Sequence, residues 1–134
     1  MVCLVMAGAL VACSVSSPEQ RLRERIVAMQ EALETRQPGD FMHGVAEDFG
    51  GGHGLDRAGV HNLLRMQLLR NQSIGATLGP LDIEIVGDRA TVKFMVFTTG
   101  GSGGLIPERA RPWRVETGWR DGTDGWQLIH AEWE

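Results

Sequence analysis

The chain of 134 residues contains no tyrosine, so chemistry that relies on a phenol to donate to an oxyanion has no residue to perform it. Cysteine is nearly as scarce. Cys3 and Cys13 are the two thiols, and from Ser14 onward no disulfide, thiolate metal site or sulfur nucleophile can be built. No apolar run reaches the roughly 20 residues that a membrane-crossing helix needs. Internal repeats, coiled-coil heptads and a disordered tail are all missing as well. The formal net charge is −4, and the thirteen basic residues are scattered among acidic ones, which argues against a nucleic-acid partner. Stability must come from a hydrophobic core, and the length allows one such core rather than two.

What is present begins with an address. Residues 1 to 12 hold only Met, Val, Cys, Leu, Ala and Gly, the length and character of the apolar region of a secretory leader. Leu10-Val11-Ala12-Cys13 resembles the processing site of bacterial lipoproteins: small residues ahead of the cysteine suit a signal peptidase, and the freed Cys13 would carry lipid. Ser14 looks like the outer-membrane sorting pattern. This resemblance implies a signal peptide over 1–12, a lipid-attachment linker over 13–16 and a working domain over 17–134. It places the protein in the bacterial cell envelope, at the outer membrane facing the periplasm, with the membrane as a partner through lipid on Cys13.

The domain opens with a helix start in which Ser17 can cap, Pro18 suits the first turn and Gln20 can close a capping box. Leu22, Ile26, Met29 and Leu33 follow at helical spacing, and Pro38-Gly39 ends the run. Asp40 can cap a second short helix, with Phe41, Val45 and Phe49 at i, i+4 and i+8. A third helix is capped by Asp56, stapled by Leu55 and Val60, and striped by Val60, Leu63, Leu64 and Leu68. The period then falls to two. Leu81, Ile83 and Ile85 alternate with acids, and Gly87-Asp88 makes a hairpin into 90–98. That second strand carries Ala90, Val92, Phe94 and Val96 on one face and Met95 and Phe97 on the other, so both faces are expected to be covered. Gly100 to Gly104 reads as a mobile connection. Trp113, Val115, Thr117 and Trp119 alternate in the next strand, and Trp126, Leu128 and His130 share one face of the last. Helices ahead of an antiparallel meander make an α+β domain, with N-terminal helices packed on a curved sheet.

This order resembles the nuclear transport factor 2-like superfamily, the cone-shaped fold shared with SnoaL-like and cystatin-like proteins. The match rests on the first helix, Ala46-Glu47-Asp48-Phe49, the strand pair from Leu81 to Phe97 and the closing Gly125-Trp126-Gln127-Leu128. It implies a curved sheet with a cavity at the open end of the cone. The scaffold serves enzymes and binding domains alike, so function must be argued from the site.

Phe41, Phe94, Trp113, Trp119 and His130 are the expected pocket residues, an aromatic wall suited to a small, flat, partly polar ligand. Isomerases of the superfamily use an aspartate base and a tyrosine; here Gly52-His53-Gly54 stands near the place of the aspartate, and the tyrosine is missing. The expected function is therefore non-catalytic binding of a small molecule or an envelope protein, with no cofactor. A homodimer through the sheet face around Thr91, Lys93, Arg114, Glu116 and Arg120 is part of that expectation. The rival is an isomerase- or dehydratase-type enzyme using His53 or His130 as base, oriented by Asp40 or Asp48. His43, Glu47 and Asp48 share a helix but give too weak a ligand spacing for a metal, and none is expected.

Overall fold

The structure is a computed structural model that describes residues 16–70, 73–101 and 111–134. The expected signal peptide, Cys13 and residues 102–104 of the glycine-rich connection lie outside the described residues. Helix α1 (Pro18–Glu34) starts as its sequence dictates. Ser17 Oγ accepts from the Gln20 amide at 3.1 Å, with Pro18 in the first turn. The box itself does not close, because the Gln20 side chain donates forward to Glu24. Leu22, Ile26 and Met29 are buried against the sheet. The helix stops where Arg36 takes a left-handed φ of 59° and the Gln37 amide donates back to Ala32 O.

The second helix is shorter than its periodicity suggests. Helix α2 (Pro38–Met42) lacks a side-chain cap, so Asp40 does not serve as one. The chain then leaves the helix because its polar backbone finds better partners. Leu128 N donates to Gly44 O at 2.7 Å and Ala46 N to Leu128 O at 3.0 Å, which makes a parallel bridge between Val45 and Leu128. Gly44 is required here, since a Cβ would collide with the Met29 thioether. Val45 and Phe49 are buried as expected, but in a segment of turns and isolated bridges rather than in a helix. Beyond a single 3-10 turn at Gly52–Gly54, α3 (Arg57–Arg70) begins. Asp56 Oδ1 caps it through the Gly59 amide at 2.8 Å. Leu68 is buried and Val60 and Leu64 pack on the core, whereas Leu63 faces outward.

Five antiparallel strands follow: β1 (Ser73–Leu78), β2 (Asp82–Val86), β3 (Arg89–Gly101), β4 (Arg111–Gly122) and β5 (Gly125–Trp133). β1 was not expected from the pattern. It lies end to end with β2 along one edge of the long β3, β4 takes the other edge, and β5 follows β4. Gly87, at φ 61°, turns β2 into β3. The helices cover one face only, around Leu22, Ile26, Val92, Trp119 and Trp126. Met95 and Phe97, expected to be covered, are exposed on the other.

One irregularity decides what faces inward. Trp119 pairs with Leu128, yet the next residue back, Gly118, pairs with His130. Ile129 is therefore an extra residue, a β-bulge, and every later side chain of β5 changes face. Gly50 N takes the Ile129 carbonyl at 3.1 Å, so the bulge leaves that acceptor satisfied.

Candidate functional site

Between α1 and the concave face of the sheet lies a cavity of about 290 Å³. From α1 come Ile26, Met29 and Leu33, three turns of the stripe that the sequence displays, with Gln30 at the side. Phe41 of α2 and Leu78 of β1 close one wall. The floor is the inward row of the three long strands: Phe94 and Val96, then Val115, Thr117 and Trp119, then Leu128 and Ala131. Strand alternation delivers these side chains to one face.

The cavity's polar content is used internally. Trp119 Nε1 donates to Thr117 Oγ1 at 2.8 Å, and that hydroxyl donates to Val92 O at 2.9 Å. The one proton of Thr117 is thus committed, and the indole N–H is tied to that hydroxyl. Among the described lining residues none titrates. A site of this kind can match an apolar shape, and among the described lining residues no side chain is placed to move a proton.

The structure brings together three of the five expected pocket residues, Phe41, Phe94 and Trp119. Trp113 shares the inward parity of β4, but it is half-buried beyond the cavity's lining. His130 stands outside it, a correction forced by the bulge at Ile129: counted by twos from Trp126 the histidine should face inward, and the extra residue puts Ala131 there instead. The ring is 45% exposed. Its Nδ1 lies 2.7 Å from Gly50 O and its Nε2 3.2 Å from Glu132 Oε1. A carbonyl can only accept, so Nδ1 carries a hydrogen in that contact.

His53 is exposed, at φ 61°, with its ring 6.3 Å from that of Trp133. It too is outside the cavity. Of the acids expected to orient a histidine, Asp40 is exposed on α2. Asp48 is bound elsewhere, each carboxylate oxygen accepting from Arg120 at 2.8 Å. That pair holds the Asp48 carboxyl well below the usual range, at about 2, chiefly through the Arg120 hydrogen bonds. Arg21 does the same for Asp121, at 3.1 and 2.9 Å, lowering its pKa.

A second cleft of about 770 Å³, about as open as the first, is lined by Arg25, His43, Glu47, Asp48, Arg57 and Arg120 among others. Its arginines are occupied: Arg25 donates to Asp124 O, Arg57 to Val45 O and Met42 O, and Arg120 to Asp48. His43, Glu47 and Asp48 do not share a helix, because α2 ends at Met42. Among the described residues no group of three or more histidine, cysteine or acidic side chains is placed to hold a metal ion. On the outer sheet face Lys93, Arg114 and Glu116 are exposed and Thr91 is half-buried.

The residues that sequence reasoning missed are the aliphatic ones. Ile26, Met29 and Leu33 were visible as a core stripe, and Val96 and Val115 as strand alternation, but nothing in the pattern marks which inward residues border empty space.

No protein-family model matches the sequence, and no curated relative does. Solved structures do match in shape. The chain is similar to Bd1075 of Bdellovibrio bacteriovorus at 16% identity and a TM-score of 0.75, over 90% of this chain and 44% of that one. It thus spans less than half of that protein's length. It is similar to a nuclear transport factor 2-like protein of unknown function from Pseudomonas putida at 19% identity and a TM-score of 0.74, over 87% and 84% of the two chains. A proposed dehydratase of the same fold family, from Streptomyces avermitilis, aligns at 19% identity and a TM-score of 0.72, over 86% and 96%. The fold is therefore the nuclear transport factor 2-like, cystatin-like one, with helices packed on one face of an open antiparallel sheet.

Proposed function

We propose that this chain is a lipid-anchored envelope protein whose domain binds a small apolar ligand without transforming it. The observation that supports this most is the lining of the cavity beneath α1: hydrocarbon and aromatic side chains, with the Thr117 proton already spent. At about 290 Å³ it sits at the low end of the roughly 300–1,000 Å³ usual for ligand pockets. The flat, partly polar ligand expected from the sequence gives way to an apolar one, because His130 is outside the wall. An enzyme with a histidine base needs that ring beside the substrate, and both His53 and His130 stand away from the cavity. In the same reading Cys13 carries the lipid, the domain faces the periplasm from the outer membrane, and the exposed sheet face around Lys93, Met95, Arg114 and Glu116 receives a second copy or an envelope protein.

The test uses the full chain purified in detergent-free buffer with Cys13→Ser, titrated with the apolar fluorophore N-phenyl-1-naphthylamine. Saturable enhancement is expected for the parent and its loss for Val115→Phe, which adds bulk to the cavity wall. Equal enhancement in both proteins would remove the cavity as the binding site. Mass spectrometry of the N-terminal peptide of the wild-type protein from a bacterial host decides the anchor: acyl groups on Cys13 are expected, and an unmodified cysteine refutes the anchoring.

A further inference from the structure

Helix α3 has two apolar faces. One packs inward through Val60, Leu64 and Leu68. On the opposite side Leu63, Met66 and Leu69 are 43%, 47% and 87% exposed. At 3.6 residues per turn, residues spaced by three are displaced roughly 60° from each other. Met66 therefore sits at the outward pole, with Leu63 and Leu69 on either side of it. Arg65 borders this stripe beside Leu69 and Arg70 falls within it at the last turn; both are exposed, and neither forms an ion pair among the described residues. The helix contains three arginines and no acidic residue, in a chain whose net charge is −4.

We infer that the outward face of α3 is a docking surface for an anionic phospholipid bilayer. Arg57 is turned to the cleft, and the charge left on the outward face, that of Arg65 and Arg70 on a helix with no acidic residue, is of the right sign for lipid phosphates. The apolar residues are flexible aliphatic chains, suited to shallow entry among acyl chains, with arginines beside them at headgroup level. A protein partner fits less well. Three side chains fall short of the roughly 1,000 Å² that a specific interface needs, and aromatic anchors, the usual centres of such interfaces, are missing from α3. The docking is independent of whether the cavity is filled and adds a second contact to that expected from a lipid on Cys13. One acyl chain with one peripheral surface gives firmer attachment than either alone.

The experiment uses the full chain with Cys13→Ser, so that no acyl group contributes, and measures co-sedimentation with vesicles of phosphatidylglycerol and phosphatidylethanolamine or of phosphatidylcholine alone. The parent should bind the anionic vesicles, more weakly as salt rises. Arg65→Gln with Arg70→Gln should weaken binding roughly 10- to 30-fold. Leu63→Gln, Met66→Gln and Leu69→Gln together should weaken it by about 10-fold or more. Binding that is the same in all three proteins belongs to the apolar 1–12 segment they share and overturns the inference. Loss of self-association on sizing in the triple variant, without vesicle binding by the parent, overturns it in favour of a second copy. Should the triple variant fail to fold, a single environment-sensitive dye at Met66→Cys, in a background of Cys3→Ser and Cys13→Ser, keeps the question open to a direct answer. Its emission should shift to the blue with anionic vesicles, while a dye at Val27→Cys on α1 should not. Equal shifts, or none, refute the assignment.

Discussion

The polar cleft around Arg25, Arg57 and Arg120 holds about 770 Å³, the cavity under α1 about 290 Å³. The larger space has the weaker claim to a ligand. Each arginine of the cleft already donates to a carboxylate or a backbone carbonyl, and the Asp48 carboxylate offsets the charge of Arg120, so an incoming anion meets side chains already held by the fold's own contacts. The cavity offers hydrocarbon surface that its own atoms leave uncovered, and a ligand there displaces water at a gain. Charge within reach of a concave surface does not make a site when the fold has used that charge to join its own parts. In this molecule the Arg120–Asp48 ion pair ties the 44–50 segment to β4, and the Arg25 hydrogen bond to Asp124 O ties α1 to the β4–β5 turn, which is a structural task.

Removing the wall of the cavity should separate the two regions most sharply. Trp119→Ala is expected to cost about 3–5 kcal/mol in urea unfolding and to abolish saturable binding of the naphthylamine probe as the floor collapses or floods. Unchanged probe binding would show that the ligand space lies elsewhere. Thr117→Val should cost about 1–3 kcal/mol, because it strands the buried Trp119 N–H and the Val92 carbonyl. If the loss is negligible, the hydroxyl is not the internal bridge described here. Asp48→Asn acts on the cleft alone and should be the mildest at neutral pH. Asp48 has a folded pKa of about 2 against an ordinary value near 4. Its contribution to stability is therefore complete above the ordinary value and is lost as pH falls through about 2. The parent should lose stability across that acid window, and the variant should show a shallower slope there. A matching slope in the two proteins would mean that the Arg120 pair holds nothing in place.

Much of this architecture could be read from residues whose local chemistry has one outcome. Ser17-Pro18 starts a helix, Asp56 caps another, and Gly87-Asp88 makes a hairpin, and each does so in the structure. The failures share a physical cause: they turn on pairing between distant segments. Phe41, Val45 and Phe49 have helical spacing, yet Gly44 and Ala46 bond to Leu128 of β5 and hold the chain out of the helix in a bridge between turns. β1 was overlooked because Ser73–Leu78 carries glycine and few large apolar residues; it exists because β3 is long enough to accept it beside β2. His130 was misplaced because alternation was counted through Ile129 as if the ladder were regular. Of the expected pocket, Phe41, Phe94 and Trp119 line the cavity, Trp113 lies beyond the lining though its strand is regular there, and past the bulge Ala131 takes the place expected of His130.

The segment from Gly44 to Gly50 does more than complete the core. A terminal strand normally presents free amides and carbonyls to any passing strand, and this is how sheets join between molecules and grow into fibrils. At the middle of β5 three such groups are engaged: the Leu128 amide by Gly44, the Leu128 carbonyl by Ala46 and the Ile129 carbonyl by Gly50. The bulge adds a local twist that a straight partner cannot follow. Concentrated side by side on a surface, copies of this protein would meet at β5 a margin interrupted at its middle, so a continuous strand-to-strand seam between copies cannot run along that edge.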